Sequence, residues 1–392
     1  MRPALAFVVQ RYGAHVTGGS ESLARALAER LSDEYVVTVF TTCARDYVTW
    51  RNELPAGESV EGGVTVRRFP VEEERDLAAF NRFAESIYDR PHSDEDEQRF
   101  LREQGPYAPA LVEALAREQD RFQAVLFFTY LYYPTVEGLR AAPARAILVP
   151  TTHDEPPLRF RLYRELFERA RAFAFLTPAE ETLVRSRFDV GARPALLAGM
   201  GIEDAGQTDV AAFRERFGLA RPYVLYAGRI DAGKGCADLV RFYELYRART
   251  DEPADLVLIG TLAMEEPRGT GARYLGFVSE DDKRAAFAGA SVVICPSAYE
   301  SFSISLLDGF AHGVPGLVNA RSAVLKEHCL RGQGGLFYED GIEFVEALVT
   351  LMGDDALRRG LGASGRAYVA AEYRWEVVLE RYRRLIASVG AV

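Results

Sequence analysis

The chain has 392 residues, 48% of them hydrophobic and 27% charged, which suits a globular enzyme with core enough for two domains. A net charge of −10 excludes nucleic acid as the main partner, though it leaves room for peripheral contact of a local basic patch with a membrane. The longest apolar runs are too short for a membrane-spanning helix, and Cys43, Cys236, Cys295 and Cys329 lack metal-ligand spacing and read as reduced thiols of a cytoplasmic protein.

Residues 4–9 form the first apolar run and lead into Gln10-Arg11 without a signal-peptide cleavage site. Further strands are expected near 35–40, 64–69, 124–128, 146–150 and 172–176, with helices over 20–31, 107–119, 160–171 and 178–187. The second half repeats the alternation, with strands near 223–227, 255–259 and 291–295 and helices over 235–248 and 303–312. Two such series predict an α/β chain of two doubly wound, Rossmann-like domains. The Gly-rich, acidic stretch 199–209 marks the junction, giving domains 1–204 and 205–374 followed by an amphipathic helix from Trp375. Residues 70–106 are strongly acidic and read as a solvated helical excursion. Within it Asp94-Glu95-Asp96 has the form of a metal-binding Asp-x-Asp, but it lies in a charge run rather than at the end of an apolar strand. No metal is expected there.

The most informative stretch is 296–315, PSAYESFSISLLDGFAHGVP. Pro296-Ser297 ends the preceding strand, and Glu300 stands just before a helical pattern of Ile304, Leu307, Phe310, Ala311 and Val314 that Gly313 and Pro315 close. A carboxylate at a strand tip, beside helix N-terminal amides, suits a sugar attached to a diphosphate. Tyr226-Ala227-Gly228-Arg229-Ile230-Asp231-Ala232-Gly233-Lys234-Gly235 is a glycine-rich turn between strand and helix. It lets backbone approach a diphosphate that Arg229 and Lys234 neutralise. Only three of the 47 basic residues are lysines, so Lys234 at this position carries weight. Two further loops, Gly18-Gly19-Ser20-Glu21 and Thr151-Thr152-His153-Asp154, follow predicted strands, and Tyr274-Leu275-Gly276-Phe277-Val278 precedes an acidic helix start. His15 reads as a loop residue, and His92, His312 and His328 have no comparable context. Aromatic stretches around Tyr47, Trp50, Tyr130, Tyr132 and Tyr133 suit either sugar stacking or core.

The 296–315 stretch resembles the signature of glycosyltransferase family 4 (glycosyl transferases group 1), retaining enzymes of the GT-B fold. The family pattern is Pro-Ser, an aromatic, Glu, a small residue and Phe, with a second Glu eight positions after the first and a closing Gly-x-Pro. Here Asp308 stands where the family usually has that second Glu. The resemblance implies two Rossmann-like domains facing across a cleft, with the last helix, 375–392, completing the N-terminal, acceptor-side domain. It implies that Arg229, Lys234, Gly228 and the amides of Ser301, Phe302 and Ser303 hold the donor diphosphate. Glu300 and His153 would hold the transferred sugar. Gly18, Gly19 and Glu21 would line the cleft, Phe277 and Val278 would present backbone to the base, and Asp308 would accept from the ribose.

The expected reaction is metal-independent transfer of a sugar from a UDP- or GDP-linked donor to a saccharide or lipid-linked acceptor, without a cofactor, in bacterial polysaccharide or glycoconjugate synthesis. The alternatives are a nucleotide-sugar epimerase or sugar phosphorylase of the same fold, and a non-catalytic nucleotide-sugar-binding protein.

Overall fold

A computed structural model describes residues 2–16 and 18–390. The chain divides into two compact units, one of residues up to Gly199 together with those from Leu379 on, the other spanning Met200–Val378. These junctions fall a few residues from the expected ones at 204 and 374. Locally the reason is packing in the second unit. Gly201 lies against the Trp375 ring, where any side chain would collide, and the Trp375 indole N–H donates to Glu203 at 2.8 Å.

The first unit contains β1 (Ala4–Val8), α1 (Gly19–Leu31), β2 (Val36–Thr42), β3 (Gly57–Glu61), β4 (Val64–Phe69), α2 (Leu77–Ile87), α3 (Asp94–Gln104), α4 (Pro109–Glu118), β5 (Ala124–Phe128), α5 (Tyr133–Ala141), β6 (Ala146–Val149), α6 (Arg161–Arg169), β7 (Ala172–Phe175), α7 (Pro178–Arg187) and β8 (Ala195–Leu197). Its sheet runs β3-β4-β2-β1-β5-β6-β7-β8, parallel except for β3, which pairs antiparallel with β4. β5, β6 and β7 are buried along their whole length, so they are uninterrupted apolar runs rather than alternating ones. Leu23, Leu27 and Leu31 recur at helical spacing and turn one face of α1 into the core.

The acidic segment corrects an expectation. It is not a solvated excursion, because Phe80, Ala84, Ile87, Phe100 and Leu101 of α2 and α3 are buried in the main core of this unit. Its acids also have structural partners. Asp96 closes a capping box with Ser93, and the buried Glu97 accepts from the amides of Arg161 and Leu162 at 3.0 and 2.8 Å, which caps the start of α6. Trp50 is core as well, its indole N–H donating to the Gln104 carbonyl at 2.8 Å beneath the Arg75 guanidinium.

The second unit contains α8 (Val210–Arg216), β9 (Tyr223–Ala227), α9 (Cys236–Arg249), β10 (Asp255–Ile259), β11 (Ala272–Tyr274), α10 (Glu280–Gly289), β12 (Val292–Cys295), α11 (Ile304–Ala311), β13 (Gly316–Asn319), α12 (Ala323–Gly332), β14 (Gly335–Tyr338), α13 (Gly341–Gly353), α14 (Asp355–Glu372) and the start of α15 (Trp375–Gly390). Its all-parallel sheet has the order β11-β10-β9-β12-β13-β14. The winding direction reverses between β9 and β12. At such a reversal the loops after the two strands part and leave a crevice at their C-terminal ends, where open α/β sheets bind ligands. The two most informative motifs are the loops that follow these strands.

Candidate active site

The loop after β9 is shaped by its glycines and by Asp231. Gly235 adopts φ +75°, and a Cβ there would run into the Pro296 carbonyl, so only glycine lets this turn lie against the loop after β12. Asp231 accepts from the Lys234 amide at 2.7 Å and pairs with the Arg229 guanidinium. The Tyr226 hydroxyl donates to the Arg229 carbonyl at 2.6 Å. These bonds fix where both cations start.

The loop after β12 is tied down equally. The Asn319 amide donates to the Pro296 carbonyl at 2.9 Å, and the Ser305 hydroxyl donates to the Ala227 carbonyl at 2.6 Å, joining the first turn of α11 to the end of β9. Ser303, the residue before α11, sits in the left-handed region at φ 65°.

Together the two loops enclose a pocket of about 110 Å³ whose walls include Gly228, Arg229, Lys234, Ser297, Glu300, Ser303 and Ser305. Across it the Lys234 ammonium lies 2.7 Å from a Glu300 carboxylate oxygen. Arg229, Lys234, Asp231 and Glu300 sum to no net charge, so the pocket holds its cations preorganised rather than as an open positive field. At the base of the pocket the Cys295 thiol is pushed up to about 12 by burial, with the Glu300 carboxylate adding to the shift. It stays a neutral thiol.

The structure therefore brings Gly228, Arg229, Lys234, Glu300 and Ser303 together and places the Ser301 and Phe302 backbone in the same loop. Asp308 lies a little over one turn along α11, outside the pocket wall. Its carboxylate is 3.5 Å from the Lys283 ammonium of α10. Burial raises the Asp308 pKa, and the nearby Lys283 ammonium opposes that shift. Phe277 is exposed and Val278 half-buried in the loop between β11 and α10. They do not line the pocket.

The remaining candidates belong to the first unit. Gly18 and Gly19 lead into α1. Glu21 is buried and receives the Arg11 guanidinium, with Nε at 2.9 Å, and the Ser20 hydroxyl at 2.9 Å, so its carboxylate is already engaged by protein. His153 follows β6, with Nε2 at 3.4 Å from Glu155. The other Glu155 oxygen accepts from the buried Tyr130 hydroxyl at 2.7 Å. Beneath this loop the buried Glu180 accepts from the Thr152 amide at 2.6 Å and the Leu176 amide at 2.7 Å. Burial pushes Glu180 up to about 7 against these hydrogen bonds.

Lys283, Glu155 and Glu180 carry no local sequence signal, because Asp308, Tyr130 and Thr152, which meet them respectively, are at least 25 residues away in the chain. Asp231 was within sight, since it lies inside the glycine-rich motif.

Residues 221–354 match the family of glycosyl transferases group 1, a span that contains the pocket and the Asp308–Lys283 pair. That matched region resembles glycosyl transferases group 1. The chain is 31% identical over 211 residues to a glycogen synthase of Thermus thermophilus, a match that covers 50% of the chain and 46% of that relative. It is 30% identical over 166 residues to the O-antigen chain mannosyltransferase B of Escherichia coli, covering 39% of the chain and 42% of the relative. It thus spans less than half the length of these two curated relatives. Among solved structures it resembles a sucrose-phosphate synthase of Thermosynechococcus elongatus, with a TM-score of 0.74 at 19% identity over 99% of the chain and all of that structure. It also resembles Anabaena HepE in complex with UDP and glucose, with a TM-score of 0.72 at 14% identity over 98% of the chain and all of that structure. At these identities the likeness establishes the GT-B fold. Among the described residues no helix is long and apolar enough to cross a membrane.

Proposed function

We propose that this protein is a retaining glycosyltransferase that moves a hexosyl group from a nucleoside-diphosphate sugar to a saccharide or lipid-linked acceptor. The observation that carries the reading is the Lys234–Glu300 contact at 2.7 Å in a pocket that also holds Arg229 and the first turn of α11. The donor diphosphate lies against Arg229, Lys234 and the amides at Ser301, Phe302 and Ser303, where preorganised donors meet the charge that grows as the sugar departs. Glu300 and His153 hold sugar hydroxyls. The anomeric carbon–oxygen bond to the diphosphate breaks, the acceptor oxygen bonds to the same face of that carbon, and the acceptor proton passes to the departing phosphate oxygen. No protein nucleophile takes part.

Arg229 and Lys234 supply the positive charge, so no metal is required at the diphosphate. Asp308 accepts from the ribose, Phe277 and Val278 border the base, and Gly18, Gly19 and Glu21 shape the acceptor side. Residues 1–204 with the last helix serve the acceptor and 205–374 the donor. The setting we favour is bacterial polysaccharide or glycoconjugate synthesis at the cytoplasmic side of a membrane, supported by a relative named for O-antigen chain mannosyl transfer.

The test is to incubate the protein with UDP- and GDP-linked hexoses and a panel of saccharide and glycolipid acceptors. Nucleoside diphosphate released only when acceptor is present, with the acceptor heavier by one hexosyl unit, supports transfer. Epimerised donor without acceptor, or phosphate-dependent cleavage of a saccharide, supports an alternative enzyme of this fold.

A further inference from the structure

His328 of α12 is 1% exposed and takes no part in the proposed chemistry, yet both its ring nitrogens are engaged. Nε2 lies 3.0 Å from the Phe302 carbonyl oxygen, and Nδ1 lies 3.1 Å from the Tyr368 hydroxyl. A carbonyl can only accept, so the proton is on Nε2, and Nδ1 accepts from Tyr368. The Tyr368 hydroxyl meets the Tyr373 hydroxyl at 3.1 Å. The rings of Phe302, His328, Tyr368 and Tyr373 pack edge-on or tilted around this chain of bonds. Burial lowers the His328 pKa to about 4, so the ring is neutral and holds one tautomer at ordinary pH.

The Phe302–Ser303 peptide is trans, since the cis bond among the described residues is elsewhere. In a trans peptide the C=O and N–H point in opposite directions. Holding the Phe302 carbonyl down onto His328 therefore turns the Ser303 N–H away from α12. That amide has no acceptor among the described residues, and Ser303 forms part of the pocket wall. Ser303 sits in a sparsely populated region of backbone space, so its amide direction needs an outside restraint.

We propose that His328 is a positioning residue that aims the Ser303 amide at the donor diphosphate through its hydrogen bond to the Phe302 carbonyl, with Tyr368 fixing the tautomer. The proposal rests on the reading of the pocket as a diphosphate site. It accounts for a buried polar ring in an aromatic cluster, where an apolar side chain would otherwise pack as well.

The test titrates UDP, GDP and ADP into wild type, His328→Leu, His328→Gln, Tyr368→Phe and Arg229→Ala by calorimetry, below the melting temperature of every variant. His328→Leu is expected to weaken the best-binding nucleoside diphosphate about tenfold, the loss of one hydrogen bond to a charged acceptor. His328→Gln, which can still donate to the Phe302 carbonyl, is expected to restore most of that affinity, and Tyr368→Phe to weaken it a few-fold. Should His328→Leu fail to fold, the His328→Gln and Tyr368→Phe pair carries the test. Either an unchanged dissociation constant for folded His328→Leu or one for Tyr368→Phe overturns the proposal. If Arg229→Ala weakens binding in that experiment, the pocket reading stands and only the role of His328 falls. If wild type binds none of the three nucleotides, both fall.

Discussion

Asp308→Ala separates two roles for the second signature carboxylate. The Asp308–Lys283 pair is 3.5 Å apart, which at an effective dielectric of about 20 corresponds to a Coulomb energy of about 5 kcal/mol. Desolvation offsets most of it. The Lys283 side chain keeps 35% exposure and Asp308 17%, so the pair contributes about 1 kcal/mol net. Removing it should lower the melting temperature of a unit this size by about 2–4 °C. If Asp308 also accepts from the ribose, Asp308→Ala weakens nucleoside-diphosphate binding by about 1–3 kcal/mol. A 2′,3′-dideoxy nucleotide should then bind wild type poorly and lose little more in the variant. Lys283→Ala serves as the control. It lowers the melting temperature by a similar amount but weakens binding less, because the acceptor remains. In transfer assays Asp308→Ala raises KM more than it lowers kcat, since ribose interactions differ little between ground and transition states. Calorimetry is the deciding assay. Equal melting shifts in the two variants with wild-type nucleotide affinity in both would mean that Asp308 serves Lys283 alone.

Glu300→Gln is expected to cut sugar transfer by about 10²-fold or more. It should leave nucleoside-diphosphate affinity unchanged or a few-fold higher, because Lys234 is released from its ion pair. Weaker nucleotide binding in calorimetry would contradict this. Activity should survive excess EDTA, since Arg229 and Lys234 provide the countercharge. Loss restored by Mg²⁺ or Mn²⁺ would refute that arrangement. Glu180 has its folded pKa raised to about 7 from 4.5, so between those values the folded state binds more protons than the unfolded one. Its contribution is therefore full below about pH 4.5 and is lost as pH rises to about 7, a change on the order of 3 kcal/mol. Denaturant unfolding should show wild type losing stability relative to Glu180→Gln over that window, and a constant difference would refute the assignment.

The pocket was legible in the sequence because its parts are local. Arg229 to Lys234 form one strand-to-helix turn, and Glu300 to Ser303 form another. The parallel sheet brings the two together simply by placing β9 beside β12. The strands of the first unit were equally plain where burial on both faces makes them uninterrupted apolar runs, as in β5. The acidic segment misled because its charge hides its core face. Phe80, Ile87, Phe100 and Leu101 occur at helical spacing among acids, and Glu97 looks solvated until α6 arrives with two amide donors from more than 60 residues away. His328 was passed over for the same reason. Its partners are a backbone carbonyl 26 residues before it and a tyrosine hydroxyl 40 residues after it, and neither leaves a local pattern. Short strands such as β8 and β11, with three residues each, offer too little periodicity to detect.

Everything proposed for the chemistry depends on the Arg229–Lys234–Glu300 pocket binding the diphosphate of a sugar nucleotide. Calorimetric titration of UDP and GDP into wild type, Arg229→Ala and Lys234→Ala tests it most directly. One nucleotide is expected to bind wild type, and each substitution to weaken it by roughly 1.5–3 kcal/mol, the worth of one charge-assisted hydrogen bond to phosphate. Binding of the same strength in wild type and both variants would contradict it.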